Sequence, residues 1–171
     1  MLTYRLPGNG STARVTVWRE VRRSGALSLQ RSAVVFPEEE PFRRAVDRLR
    51  ALVSELGGES TALRAEGLTE GDQARLVAAW NEARDAEYTE LTDECAKFLA
   101  EIDHELEIEK LTLAELEEEE SELEKLQRWH ERIRGRDVHS ASAAKDAAEA
   151  LTAARAALER YATAVFEHSQ P

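Results

Sequence analysis

The sequence predicts an α+β protein: a ferredoxin-like βαββαβ module over residues 1–68, then a coiled-coil-like arm of three antiparallel helices over residues 69–171. Three observations carry that expectation. Apolar spacing changes period several times before residue 68 and stays helical after it. Turn formers interrupt the first part, at Pro7-Gly8, Gly25, Pro41 and Gly57-Gly58, whereas residues 72–110 contain neither Gly nor Pro. Two capping boxes, Thr69-x-x-Asp72 and Thr112-x-x-Glu115, then mark helix starts.

"LTYRL" (2–6) is a short β-prone run ended by Pro7-Gly8. Ser11 or Thr12 can cap a helix that ends at Gly25, with Val15, Trp18 and Val21 as its packing face and Val17 beside them. "ALSLQ" (26–30) alternates as a half-buried strand should, and "SAVVFP" (32–37) is a second β run after a short turn. Glu40-Pro41 opens a helix with Phe42, Val46, Leu49 and Val53 at helical spacing, stopped by Gly57-Gly58. "STALRAE" (60–66) is the fourth expected strand. The order β-α-β-β-α-β is the split motif that sets helices on one face of an antiparallel sheet.

The arm has three legible stripes. Tyr88, Leu91, Cys95, Phe98 and Ile102 alternate steps of three and four within a helix expected over about 69–110. Leu116, Leu123, Leu126 and Ile133 follow in a helix over 112–134. In the third helix, about 141–167 and capped by Ser140 or Ser142, Ala144, Leu151, Leu158 and Val165 fit one heptad position. Ala147, Ala154 and Tyr161 fit the other, and the alanines permit close helix approach.

Charge separates the two parts. The chain carries a formal net charge of -11, yet residues 1–36 contain six Arg and one Glu. The acidity therefore belongs to residues 37–171, and it argues against strong nonspecific DNA binding by the whole chain. One cysteine, Cys95, allows no internal disulfide and no cysteine-based metal site. No apolar run approaches the roughly 18 residues of a membrane span, and none near Met1 suits a signal peptide. A cytoplasmic protein without a cofactor or membrane partner is expected.

Four stretches carry a resemblance: "YRLPGNGSTARVTVWREVRRSGALSLQ" (4–30), "LVSELGGES" (52–60), "DAEYTEL" (85–91) and "LQRWHERIRGRD" (126–137). Together they resemble the N-terminal region of ChrB-type chromate resistance proteins, in order along nearly the whole chain. The resemblance implies a ferredoxin-like module with appended helices, in a protein linked to chromate resistance and to control of chromate-efflux genes. The first half is also similar to the middle domain of phenylacetate-type transcriptional repressors and to small CRISPR spacer-acquisition nucleases. Those nucleases carry an acidic residue at the end of their first strand; here "LTYRL" has none, so an enzyme is not expected. ChrB-type proteins usually continue into a larger second domain, so oxyanion sensing is expected to be absent from this chain or supplied elsewhere.

Two basic clusters and an acidic seam are the candidate sites. Arg19, Arg22 and Arg23 form a stripe on the first helix, with Arg14 and Arg31 nearby. Guanidinium groups on one surface suit the phosphates of DNA, or chromate or another oxyanion, through bidentate contacts. The competing reading is a solvated face, or one paired with the acidic arm. Arg132, Arg134 and Arg136 form a second basic cluster, placed to interact with a helix dipole or to add an anion contact. A hairpin turning near residue 112 would set Glu105 against Glu119 and Glu109 against Glu115. Arg155 is the expected neutralising cation. The sharper reading, a metal held by Glu101, His104, Glu105 and Glu119, uses a Glu-x-x-His spacing that lacks its second copy. The same register sets His130 against Glu94 and Cys95: a contact with Glu94, the favoured reading, would raise the His pKa, and a Cys95–His130 pair could activate the thiol, although no Asn/Asp partner or oxyanion loop is recognisable. "ELEEEES" (115–121) reads as a solvated face, or as a docking surface for a basic partner. The favoured class is a regulatory or binding protein. The alternative is a structural module that homodimerises through its sheet or arm.

Overall fold

The computed structural model describes residues 1–8 and 11–169 and is α+β, with five helices and one four-stranded antiparallel sheet. The chain divides into two compact units, Met1–Trp80 and Asn81–Pro171, with the boundary inside one long helix.

The first unit contains β1 (Leu2–Arg5), α1 (Ser11–Ser24), β2 (Leu27–Gln30), β3 (Ala33–Val35), α2 (Phe42–Glu55) and β4 (Glu59–Ala62). Every adjacent pair is antiparallel, in the order β2-β3-β1-β4. The register sets Leu2 opposite both Val34 and Ala62. Leu2 and Val34 point to the helical side, where they meet Val17, Val21, Leu49 and Val53. Side chains alternate across a strand, so Arg5 projects from exposed surface and pairs with the facing Glu59 at 2.9 Å. The strand expected over 60–66 is shorter. Its ladder ends where the Leu63 N–H meets the Met1 carbonyl at 2.8 Å.

The first helix packs differently from expectation. Its buried residues are Val17, Val21 and Ser24, whereas Val15 and Trp18 are 42% and 55% exposed. Steps of four and three keep the buried set within an arc about 60° wide. Steps of three alone drift, which carries Val15 and Trp18 off the core. Ser24 is buried at the end of the helix, and its hydroxyl donates to the Val21 carbonyl at 2.7 Å. Gly25 then ends the helix at φ 71, a left-handed conformation that a side chain would strain. Gly58 is required for another reason: a Cβ there would lie 2.5 Å from the Arg5 carbonyl oxygen. In α2 the buried face is Phe42, Ala45, Leu49 and Val53. Trp80 packs edge-on against Phe42, with centroids 5.4 Å apart.

Helix α3 (Glu70–Glu107) begins in a reciprocal cap. The Thr69 N–H donates to Asp72 Oδ2 and the Asp72 N–H to Thr69 Oγ1, both at 3.1 Å. The second unit continues with α4 (Leu113–Arg134) and α5 (Ala144–His168). Its core joins Tyr88, Leu91, Cys95, Phe98 and Ile102 of α3 to Leu123, Leu126 and Ile133 of α4 and to the Ala147–Val165 face of α5. Leu116, Ala144 and Leu158 pack at the margin of that core, and Ala157 joins its fully buried part.

Neither expected serine caps α5. Ala143 is its N-cap, and its N–H donates 2.8 Å to Asp85 Oδ1 of α3. Ser142 donates to the same carboxylate at 3.2 Å, and Ser140 lies at φ 59, outside the cap position. A carboxylate from a neighbouring helix thus replaces the local cap, satisfying an N–H that a helix start leaves unpaired.

Candidate functional site: a basic aromatic cleft and a carboxylate cluster

Two constellations stand out, one in each unit. In the first unit a cleft of about 620 Å³ is lined by Tyr4, Arg5, Leu6, Arg14, Val15, Trp18, Arg31 and Ser32. Strand β1 supplies Tyr4 and Arg5, α1 supplies Arg14, Val15 and Trp18, and the β2–β3 turn supplies Arg31. The turn is braced from below: the Tyr4 hydroxyl donates to the Arg31 carbonyl at 3.2 Å. Burial raises the Tyr4 pKa, so this hydroxyl keeps its proton. The Arg14 guanidinium donates to the Gly8 carbonyl at 3.0 Å, which fixes its base beside the cleft.

Trp18 is the residue that sequence reasoning placed wrongly. It lines the cleft instead of the core, and the Arg22 guanidinium lies 5.3 Å from its ring centroid. The i, i+4 spacing of Trp18 and Arg22 was the available signal, since it sets both on one helix surface. Arg5 was also missed, because a single Arg in a short strand has no periodic signature.

The five predicted arginines therefore divide. Arg14 and Arg31 line the cleft. Arg22 stacks on its Trp, and Arg19 is exposed on the same helix. Arg23 pairs with Glu20 at 3.1 Å, and Arg48 of α2 reaches the same carboxylate at 3.4 Å. Arginine and aromatic groups around a concave surface can bind a tetrahedral oxyanion or phosphodiester through charge-assisted hydrogen bonds.

The second basic cluster also separates. The Arg136 Nη2 meets Glu87 at 3.1 Å and its Nε donates to the Arg132 carbonyl at 3.0 Å. Arg84 shares Glu87 at 3.0 Å. Arg136 thus ties the α4–α5 connection to α3. Arg134 pairs with Glu131 on the surface at 2.8 Å, and the Arg132 side chain is exposed.

In the second unit, carboxylate oxygens of Glu101, Glu105 and Glu119 lie within 4.8 Å of one another. Helix α3 supplies Glu101 and Glu105 on successive turns, and α4 supplies Glu119. Glu105 and Glu119 are buried at 4% and 3% exposure. The expected neutraliser, Arg155, is exposed. Its place is taken by Lys110, whose ammonium bridges Glu105 at 3.2 Å and Glu115 at 2.6 Å. Those two carboxylates hold the Lys110 pKa above its ordinary value. Tyr161 secures the turn, its hydroxyl donating to the Lys110 carbonyl at 2.7 Å. Burial, then repulsion from Glu101 and Glu105, pushes the Glu119 pKa up to about 7. His104 is exposed and is not part of the cluster, so the Glu-x-x-His reading does not hold.

Cys95 is fully buried, and burial pushes its thiol pKa up, with Glu94 adding to the shift. His130 is tilted against Tyr88 with centroids 6.1 Å apart, and burial lowers its pKa. This reverses the expectation that Glu94 would raise it. Glu94 is instead engaged by Lys97.

The carboxylate cluster and most of the cleft, all but Tyr4, Arg5 and Leu6, lie within one family match. The model of the ChrB N-terminal family matches residues 14–171. The chain belongs to that family. Membership associates it with chromate resistance. The matched span takes in α1 with its cleft arginines, the sheet except β1, and all three long helices. No curated protein and no solved structure gives a significant match. Among the described residues, no helix is long and apolar enough to cross a membrane.

Proposed function

We propose that this chain is a non-enzymatic regulatory protein of chromate resistance, acting on transcription of chromate-efflux genes through the Trp18 cleft. The carrying observation is the cleft itself: Arg14 and Arg31, with the Glu59-paired Arg5, line it together with an exposed Trp whose ring lies under Arg22. Trp18 and the neighbouring exposed Val15 share this concave surface, and a tryptophan among arginines suits a partner contact. The common chemistry of the ligand is a tetrahedral oxyanion, either a backbone phosphate of DNA or free chromate. Family membership supports the pathway, and the β-α-β-β-α-β order with sheet order β2-β3-β1-β4 supports a ferredoxin-like reading of the first unit. Such an activity places the protein in the cytoplasm with the DNA.

Two titrations test this. Fluorescence anisotropy with DNA from upstream of its own gene measures the phosphate source; calorimetry with chromate measures the free anion. Trp18→Ala and the double variant Arg14→Ala/Arg31→Ala should each weaken the productive ligand at least tenfold. DNA affinity should fall as salt rises, because bound arginines displace counterions. If the wild type binds neither ligand and light scattering shows a dimer, the homodimerising structural module becomes the better reading.

A further inference from the structure

The carboxylate cluster of the second unit has no role in the cleft and contains an unusual combination of burial and missing partners. Glu105 Oε2 and Glu119 Oε2 are both buried and, among the described residues, neither accepts a hydrogen bond. A buried carboxylate oxygen without a partner is expensive. Lys110 serves only the other oxygen of Glu105, and it is shared with Glu115. The Tyr161 hydroxyl donates to the Lys110 carbonyl at 2.7 Å and also lies beside the Glu105 carboxylate. Two of the three clustered carboxylates thus each keep one buried oxygen without a hydrogen-bond partner among the described residues.

We propose that Glu101, Glu105 and Glu119 bind one hard divalent cation. The spacing fits: such ions take oxygen ligands at about 2.0–2.6 Å, so ligands of one ion lie within about 5 Å of each other. The three oxygens lie within 4.8 Å. The charge fits as well, since Glu101, Glu105, Glu115 and Glu119 share one ammonium, that of Lys110, and the site is net negative. The donor set is all oxygen. His104 is exposed outside the cluster and Cys95 is absent from it, which favours magnesium-, manganese- or calcium-type ions over softer metals. Glu101 is exposed, so one side of the site is open to ion entry and to water ligands. The bound ion joins α3 to α4 at a point where the apolar stripe is interrupted.

The test is a titration of the full chain with MnCl2 after chelator treatment, read by calorimetry and by thermal unfolding. The expected result is one Mn2+ per chain and a rise in Tm on binding. Glu101→Gln, at an exposed position that leaves the fold intact, should weaken binding at least tenfold. Glu119→Gln should abolish it, and if that variant does not fold, Glu101→Gln decides the matter. Glu120→Gln, exposed and outside the cluster, should bind as the wild type does. No heat above buffer for the wild type would overturn the proposal. Equal weakening by Glu120→Gln and Glu101→Gln would also overturn it, since that pattern means diffuse attraction to an acidic surface.

Discussion

Glu119→Gln in metal-free buffer gives the most direct reading of the buried cluster's electrostatics. The Glu119 pKa rises from 4.5 to about 7 on folding, chiefly through burial and then through Glu101 and Glu105. A group raised in this way favours the folded state fully below its unfolded pKa. That contribution is lost as pH rises through the folded value. At about 1.36 kcal/mol per pKa unit, the shift corresponds to roughly 3 kcal/mol at full strength. Glu101 is exposed and solvent screens its share, so the loss between pH 4.5 and 8 is about 2 kcal/mol. Gln keeps the shape and removes the charge. In EDTA at pH 8 the variant should be about 2 kcal/mol more stable than wild type, or several degrees in Tm for a chain of this size. At pH 4.5 the two should coincide. The assay is urea unfolding followed by circular dichroism at both pH values. A variant no more stable than wild type at pH 8 would show that the carboxylate is solvated or paired, and the reasoning would fail.

Three further outcomes rest on the packing. Val17→Ala removes two carbons from a fully buried site and should cost about 2 kcal/mol, while Trp18→Ala, larger but exposed, should cost under about 1 kcal/mol; urea unfolding of both separates core from surface on α1. Arg136→Ala leaves Arg84 alone on Glu87 and strips a donor from the Arg132 carbonyl, costing about 2 kcal/mol, whereas Arg134→Ala should stay within about 0.5 kcal/mol by the same measurement. Cys95 should react with iodoacetamide only after denaturant is added, because its thiol is buried and its pKa is raised; rapid labelling of the native protein, followed by mass spectrometry, would contradict the burial.

Much of this architecture is legible in the residues because backbone chemistry is local. Thr69-Asp72 and Thr112-Glu115 announce helix starts that the structure builds, and Gly25 and Gly57 mark turns at positive φ. The α3 stripe from Tyr88 to Ile102 is buried as its spacing requires. What escaped reading is non-local. The cap of α5 comes from Asp85, 58 residues before the Ala143 N–H that it accepts. The neutraliser of Glu105 is Lys110, which reaches it only because the chain reverses near Glu109 at φ 53. On α1 the signal was present but ambiguous. Val15, Trp18 and Val21 outweigh Val17 and Ser24 in apolar volume, yet the narrower arc won, since a helix against a sheet buries a stripe and not its largest side chains.

The same competition explains why a chain of net charge -11 has a basic beginning. The arginines of the first unit have different neighbours. Arg23 pairs with Glu20. Arg14 of α1 and Arg31 of the β2–β3 turn line a cleft with Trp18, and Arg22 lies over that ring, where a cation gains from the π face. Leaving Trp18 half-exposed forgoes burial that the Arg22 contact offsets only in part. A ligand whose charge meets the guanidiniums and whose body covers the ring would recover the rest. That is why Trp18, more than any single arginine, is the residue whose substitution should separate ligand binding from folding.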